Sequence, residues 1–425
     1  MKTDAKMHYA WVVAGVAFLI LIVGSGVMAT PGILIVPLEE EFHWSAVTIS
    51  VAIAVNIILS GMIGPFAAAV IERFGIRRAV TFSLVMVGLG VALTSLMRTP
   101  WQMVLLWGIL VGSGTGMIAV VLGAVIAERW FVRHRGLVLG ILTASSATGK
   151  LIFLPILAYI SVNFGWHAVS LSVALIVLLI TPLAAFMLRN RPSDIGLPRY
   201  GESDLHLVGV RNENPAHRAL AALRRGIRSR DFWLLSSTFF ICGASTSGLI
   251  GTHLIPACID RGIPEIGAAS VLAMMGVLDL VGTIASGLLT DRFDSRKLLA
   301  WYYALRGLSL IFLPVAFHFN FYGLSVYAVF YGLDWVATVP PTVKLAGSVF
   351  GEENAALMFG WIAASHQIGA AAVAWLAGFV RTETGDYSIA FLSSGLLCIL
   401  AAFLATFIGS GSKRTLVAGS ALKST

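Results

Sequence analysis

The sequence predicts an all-α membrane protein with twelve transmembrane helices in two pseudo-symmetric six-helix bundles. Three observations predict this fold: a composition that is 58% hydrophobic and only 12% charged, uncharged runs of membrane-spanning length, and a repeat at half the chain length. Soluble proteins carry about 25% charged residues. A water-soluble fold could not cover this much apolar sequence with polar surface, whereas lipid as the solvent removes the difficulty.

The uncharged runs have the length that a bilayer requires, about 20 apolar residues per helix. Tyr9–Leu38 contains no Asp, Glu, Lys or Arg. It is too long for the core of a signal peptide, so we interpret it as a retained helix. The run 151–188 has room for two helices with a hinge at Asn163–His167. We expect helices at about 9–37, 46–71, 79–97, 100–127, 136–161, 167–189, 232–257, 266–290, 298–317, 322–348, 355–380 and 387–409.

The basic residues are distributed asymmetrically across the predicted helices. Of the 29 Lys and Arg residues, 23 fall in segments on one side, three in loops on the other side and three within helices. The positive-inside rule places both termini in the cytoplasm of a multi-pass cell-membrane protein. The chain has no Asn-x-Ser/Thr sequon, which agrees with a bacterial inner membrane. This distribution accounts for the net charge of +8 without a nucleic-acid partner.

The two halves repeat at an offset close to half the chain. A shift of 219 residues aligns Pro37 with Pro256, and a shift of 220 aligns Gly140 with Gly360. Internal duplication of this kind is typical of secondary transporters, whose substrate site lies near the bilayer midplane. We expect an N-terminal bundle at 1–189, a cytoplasmic linker at 190–230 and a C-terminal bundle at 231–425.

Several chemistries find no support in the sequence. The three cysteines (Cys242, Cys258 and Cys398) are unpatterned, so we infer no disulfide framework and no metal site. No nucleophile, metal or paired-carboxylate constellation suggests an enzyme, and no cofactor is expected. The glycine run Gly112–Gly116 sits inside an apolar helix, where close helix packing is a better interpretation than phosphate binding.

Two loops half a chain apart resemble a loop motif of the major facilitator superfamily, G-x-L-x-D-R-x-G-x-R-K/R. The first loop reads Glu72-Arg73-Phe74-Gly75-Ile76-Arg77-Arg78, and the second contains Asp291-Arg292-Phe293-Asp294-Ser295-Arg296-Lys297. The departures are Ala68 for the first Gly, Glu72 for Asp, and Asp294 for the second Gly. The resemblance implies the major facilitator fold and a gating role for Glu72, Arg73, Gly75, Arg77, Arg78, Asp291, Arg292, Arg296 and Lys297.

Shorter segments are similar to the bacterial monocarboxylate and oxalate/formate porter branch of that superfamily. They are Pro37–Ser45, Trp130–Gly140 and Met275–Val281. In monocarboxylate transporters the eighth helix carries a functional Asp, which corresponds to Asp279, and four residues later an Arg implicated in holding the substrate carboxylate. Here that position is Thr283, so the resemblance implies no carboxylate-holding Arg at this position.

Five ionisable residues fall well inside predicted helices, where a charge costs about 2.5–3.5 kcal/mol. Asp279 and Asp334 could take up and release protons as the cavity alternates sides. Lys150 or Arg306 could hold an anionic substrate, and His366 could couple protons. The alternative is that these residues form permanent salt bridges or satisfied helix contacts, and for Arg306 we favour it.

The double proline Pro340-Pro341 follows Asp334 closely. Proline removes a donor and frees a carbonyl one turn earlier, which predicts a bend or an opened turn. The freed backbone could line a substrate path or could simply set the helix shape.

Together these features predict a monomeric secondary active transporter that works by rocker-switch alternating access. The favoured substrate is a small organic anion, such as a monocarboxylate, moved with protons. The alternative is efflux of amphiphilic or drug-like compounds. A non-transporting membrane receptor is a third, less favoured class.

Overall fold

The computed structural model describes residues 8–118, 121–202 and 215–409. Within this part of the chain the first bundle contains six helices. These are α1 (Tyr9–Phe42), α2 (Ala46–Phe74), α3 (Ile76–Thr94), α4 (Pro100–Trp130) and the stretch Arg135–Met187, which Gly165 divides into α5 and α6. Gly165 has φ 78° and ψ 170°, a conformation that interrupts the helix at the hinge the sequence predicted.

The second bundle contains six further helices. They are α7 (Arg230–Ile259), α8 (Glu265–Arg292), α9 (Ser295–Ala316), α10 (Asn320–Asp334 and Val339–Phe350), α11 (Glu352–Thr384) and α12 (Ser388–Ala405). Among the described residues, ten continuous stretches are long and apolar enough to cross a membrane. One of them holds both α5 and α6, and the interrupted α10 completes twelve. The predicted fold is therefore confirmed, although α1 extends to Phe42 rather than ending near residue 37.

Large apolar side chains cover the outside of the molecule. Phe82, Phe186 and Leu396 are 66%, 70% and 64% exposed. Helices satisfy their backbone groups internally and can therefore turn such side chains towards lipid. The exposed apolar surface is consistent with a protein that sits in a bilayer.

Glycines bring the helices of each bundle close together. A Cβ atom on Gly112 of α4 would lie 2.8 Å from Cα of Asn56 in α2, and one on Gly116 would lie 2.7 Å from Cα of Ser60. The glycine run of α4 is thus a packing surface, as the sequence predicted.

Three helix pairs form the seam between the two bundles. Helix α2 packs along α11, the α5–α6 stretch packs along α8, and α1 contacts α7. We call the end of the protein that carries Arg73, Arg77, Arg292 and Lys297 the basic face, and the other end the opposite face.

The connection between the bundles is more structured than predicted. Its first part is fixed to the first bundle, because the backbone N–H of Tyr200 donates to Trp130 O at 2.9 Å and its ring packs against Trp11 and Phe131. Its second part forms a helix that the sequence analysis missed, Pro215–Gly226, which we call the linker helix. It contacts both α2 and α11. The bundle boundaries at 189 and 231 stay a prediction.

We predict that the approach of α8 to α10 depends on Gly282. A Cβ atom there would overlap the carbonyl oxygen of Leu333. Gly282→Ala should therefore lower the free energy of unfolding by about 1–3 kcal/mol, the usual range for overpacking. Chemical unfolding in detergent measures the change.

The control is Gly287→Ala in the same helix. A Cβ atom on Gly287 would meet no atom within 4 Å, and alanine is the better helix former. Equal loss of stability in both variants would contradict the packing role of Gly282.

Candidate functional site

Helix α10 opens for one turn at Trp335–Thr338, between its two helical pieces. Pro340 and Pro341 have no backbone N–H, so the carbonyls of Val336 and Ala337 lose their helical partners. The opened turn that the sequence predicted is therefore present. In lipid each of these carbonyls needs another donor, and Val336 O accepts the backbone N–H of Val339 at 2.9 Å.

Helix α8 supplies partners from one of its faces. The carboxylate of Asp279 accepts the backbone N–H of Val336 through Oδ1 at 2.9 Å. The hydroxyl of Ser286 donates to Ala337 O at 2.5 Å. Thr283 also donates to Asp279 Oδ1, at 3.0 Å. Asp279 is 8% exposed, and it ties α8 to the opened turn.

Helix α9 supplies Arg306, which is fully buried. Its Nε donates to Asp334 Oδ2 at 2.7 Å, its Nη1 to Cys242 Sγ at 2.8 Å, and its Nη2 to Trp335 O at 3.1 Å. The guanidinium carbon lies 5.7 Å from the ring centroid of Tyr303. Arg306 therefore joins α9, α10 and α7 around the same opened turn.

This geometry agrees with the salt-bridge interpretation of Arg306 and Asp334. A fully buried guanidinium whose donors point to a carboxylate, a carbonyl and a sulfur has satisfied partners within the second bundle. The hydroxyl of Thr338 adds a contact to Cys242 at 3.3 Å. Cys242 of α7 is therefore linked to the turn directly through Thr338 and indirectly through Arg306.

His366 lies in α11 at the edge of this cluster, beside Cys242 of α7, whose sulfur also accepts from Arg306. Its Nδ1 is 3.2 Å from Oε1 of Gln367, and its ring centroid is 4.9 Å from that of Phe239. The neighbouring Gln367 packs against Gly61 of α2. His366 therefore sits beside the seam between the bundles, half-buried.

Lys150 belongs to α5, but its side chain lies outside the described residues. Its neighbour Gly149 packs against α1, where a Cβ atom would lie 2.6 Å from Ile22 O. The structure thus brings Asp279, Asp334 and Arg306 together around the opened turn of α10. His366 lies between this cluster, which it meets at Cys242, and the seam.

The seam at the opposite face is closed by an ionic contact that the sequence analysis missed. Arg381 of α11 donates to Glu39 Oε2 of α1 at 2.6 Å and to both carboxylate oxygens of Asp260 at 2.9 Å. All three side chains are at most 20% exposed. The signal was available in the acidic run Glu39-Glu40-Glu41, which ends α1 on the face that has only three loop arginines.

The first loop of the duplicated motif lines a cavity on the basic face. Gly75 has φ 84°, and Oδ1 of Asn190 accepts the backbone N–H of Arg77 at 3.2 Å. The cavity has a volume of about 460 Å³ and is lined by Phe74, Arg77, Arg78 and Asn190. Arg73 is exposed, and the side chain of Glu72 lies outside the described residues.

The second motif loop differs because Asp294 replaces glycine. The Asp294 side chain accepts the backbone N–H of Arg296 at 2.9 Å and so caps the start of α9. It also pairs with the Arg296 guanidinium at 3.0 Å, and this hydrogen bonding lowers the pKa of the Asp294 carboxyl below its ordinary value. Asp291, Arg292 and Lys297 are exposed.

Two further polar residues of the second bundle, His253 and Lys344, have partners within that bundle. His253 is buried, with Nδ1 3.1 Å from the hydroxyl of Tyr387 and Nε2 2.8 Å from Ala374 O. Lys344 donates through Nζ to Thr290 O at the end of α8.

Known proteins resemble the chain along nearly all of its length. Human monocarboxylate transporter 11 is 28% identical over 93% of this chain and 82% of its own length. An uncharacterised transporter of the major facilitator type from Bacillus subtilis, YcxA, is 22% identical over 91% of each chain.

Solved structures share the fold at low sequence identity. A bacterial homologue of the human lysosomal transporter Spinster, in an inward-facing and unoccupied conformation, superposes with a TM-score of 0.74 at 13% identity, over 95% of this chain and 98% of its own. A D-xylose-proton symporter gives a TM-score of 0.71 at 16% identity, over 94% of this chain and 97% of its own.

The family signature of the Major Facilitator Superfamily matches residues 16–336 and 254–422. These matches cover most of both bundles and agree with the twelve-helix architecture and the duplicated loops. The chain is a multi-pass membrane transporter for small molecules, not an enzyme, and it belongs to the Major Facilitator Superfamily.

Proposed function

We propose that this transporter moves a small organic anion of the monocarboxylate class together with protons. The observation that carries the proposal is the buried carboxylate of Asp279, which holds the opened turn of α10 through Val336 N–H at 2.9 Å. The names of several relatives, monocarboxylate transporters 11 and 13 among them, support the substrate class. The similar D-xylose-proton symporter shows only that this fold can be proton-coupled.

Protonation of Asp279 would act directly on the link between α8 and α10. As a carboxylate, Oδ1 accepts two hydrogen bonds, from Val336 N–H and Thr283 Oγ1. Hydrogen bonds to an ionised acceptor are roughly twice as strong as neutral ones. Loss of the charge would therefore loosen the opened turn, which couples proton uptake to a change of helix packing.

The cation that meets the substrate is proposed to be Lys150. Arg306 is committed to Asp334, Cys242 and Trp335, and the position of the usual Arg is taken by Thr283, which donates to Asp279. His366, beside the seam, is proposed as a second proton-coupling group because it lies next to the first bundle through Gln367.

Transport is proposed to follow rocker-switch alternating access by a monomer. The Arg381–Glu39 contact joins the two bundles at the opposite face, so this face must separate when the cavity opens there. We propose that the basic face and both termini lie in the cytoplasm of a bacterial inner membrane, as the positive-inside rule requires. The duplicated basic-face loops, including Arg73 and Arg292, are proposed to stabilise one of the two states.

We predict that Asp279→Asn abolishes proton-driven accumulation. In proteoliposomes screened with labelled carboxylic acids, an imposed pH gradient should drive uptake by the wild type and leave the variant at the level of protein-free vesicles, because an amide cannot carry the proton. The control is Asp386→Asn, a half-exposed carboxylate that pairs with Arg261 at 3.5 Å on the opposite face. Gradient-driven uptake by Asp279→Asn would rule out its proposed role, and indifference of the wild type to the gradient would favour efflux of amphiphiles.

A second prediction separates structural from substrate-binding roles for Arg306. Arg306→Met leaves the buried Asp334 carboxylate unpaired and should cost about 3–5 kcal/mol of unfolding free energy. The double variant Arg306→Met/Asp334→Leu should recover most of that loss, because it removes both charges. Chemical unfolding in detergent measures both variants. Unchanged stability of Arg306→Met, with weaker substrate binding, would reverse this assignment.

A third prediction concerns the seam at the opposite face. Ile263 lines a cleft of about 310 Å³ between the bundles on that face, together with Val36 and Pro37. Arg381→Gln should raise the rate at which an Ile263→Cys reporter reacts with a water-soluble maleimide by roughly tenfold, since a hydrogen bond to a charged group contributes about 1.5–3 kcal/mol.

The control for this measurement is Arg261→Gln. Arg261 also lies at the opposite face, but its partners Asp386 and Ser388 belong to the second bundle, as it does. Equal acceleration in both variants would show that the Arg381 contact does not hold the seam.

A further inference from the structure

The linker helix packs on both bundles through one face only. Ala219 and Ala222 on that face are 2% and 0% exposed, and the indole Nε1 of Trp361 in α11 donates to Ala219 O at 2.8 Å. The same helix contacts α2 of the first bundle. It therefore bridges the seam at the basic face.

The other face of the helix and the turn that follows are exposed and carry both apolar and basic side chains. Leu220 and Ile227 are 47% and 46% exposed. Arg224, Arg225 and Arg228 are exposed beside them. The helix Pro215–Gly226 contains no acidic residue, so none of its own side chains neutralises this surface.

The short connection to α7 fixes the depth of the linker helix relative to the bilayer. Only residues 227–229 separate its end from the start of α7, a gap of about 14 Å at most for an extended chain. Trp233, in the first turn of α7, is 56% exposed, and its Nε1 donates to Ile227 O at 2.9 Å. Exposed tryptophans of this kind mark the membrane–water interface. The linker helix thus lies at the level of the lipid headgroups.

We propose that the exposed face of the linker helix binds the headgroups of anionic phospholipids in the leaflet at the basic face. Guanidinium groups match phosphate oxygens in charge and geometry. Amphipathic helices that combine arginines with exposed aliphatic side chains lie in this interfacial region. An arginine near an anionic surface contributes about 1 kcal/mol, which is about fivefold in affinity.

Binding of anionic lipid would then influence the transport cycle through the seam between the bundles. The helix touches α2 in one bundle and α11 in the other, so its attachment to the membrane surface restrains both. Binding itself needs no assumption about the substrate or about protons, and its test is independent of the proposed function.

The experiment titrates phosphatidylglycerol into the purified full-length chain in a neutral detergent and follows the unfolding temperature. The wild type should be stabilised by phosphatidylglycerol and not by phosphatidylcholine. Arg224→Gln/Arg225→Gln should shift the midpoint of the titration to a lipid concentration higher by roughly 25-fold, from two arginines at about fivefold each. Arg224→Lys/Arg225→Lys should keep most of the effect, because the charge is retained.

The matched control is Arg133→Gln/Arg191→Gln, which removes two other exposed arginines of the same basic end of the protein. It should keep the wild-type midpoint. An equal shift in the control would show a general charge effect and overturn the proposal. Equal stabilisation by phosphatidylcholine would overturn it as well, and so would inorganic phosphate alone reproducing the effect.

Discussion

The need to satisfy backbone groups in a medium without water organises the second bundle around the opened turn of α10. Pro340 and Pro341 remove two helical hydrogen bonds, and no solvent in the hydrocarbon region can replace them. Ser286 from α8 replaces one of them by donating to Ala337 O, and the backbone N–H of Val339 replaces the other at Val336 O. Asp279 from α8 and Arg306 from α9 bind two further backbone groups of the turn, Val336 N–H and Trp335 O. The positions of two helices, α8 and α9, are therefore tied to the opened turn of a third.

This arrangement separates the buried charges into two kinds. Arg306 and Asp334 compensate each other's charge at 2.7 Å, and the remaining Arg306 donors meet Cys242 and Trp335. Asp279 binds the opened turn itself, and it accepts a backbone N–H and a hydroxyl. A pair of opposite charges resists separation, whereas a hydrogen bond that holds a turn weakens when its acceptor loses its charge.

The two ends of the seam are joined by different means. At the opposite face, Arg381 reaches Glu39 across the bundles while also holding Asp260 in its own bundle. At the basic face, the linker helix lies across α2 and α11. An ionic contact breaks within a few ångströms of separation, whereas a packed helix must slide or detach. Opening of the seam at the opposite face thus requires an ion pair to break, whereas opening at the basic face requires a packed helix to move.

The sequence by itself determined the helices, their number and the duplicated halves, because a bilayer imposes length, apolarity and charge asymmetry on each segment locally. It also located the hinge at Gly165, the packing role of Gly112–Gly116 and the break after Asp334, since glycine and proline act on their own backbone. Only the tertiary structure decided which charges meet. The partners are far apart in sequence. The separation is 28 residues for Arg306 and Asp334, 342 for Arg381 and Glu39, and at least 135 for the linker helix and Trp361. Such partners depend on helix rotation and depth, which hydrophobicity along one chain does not specify.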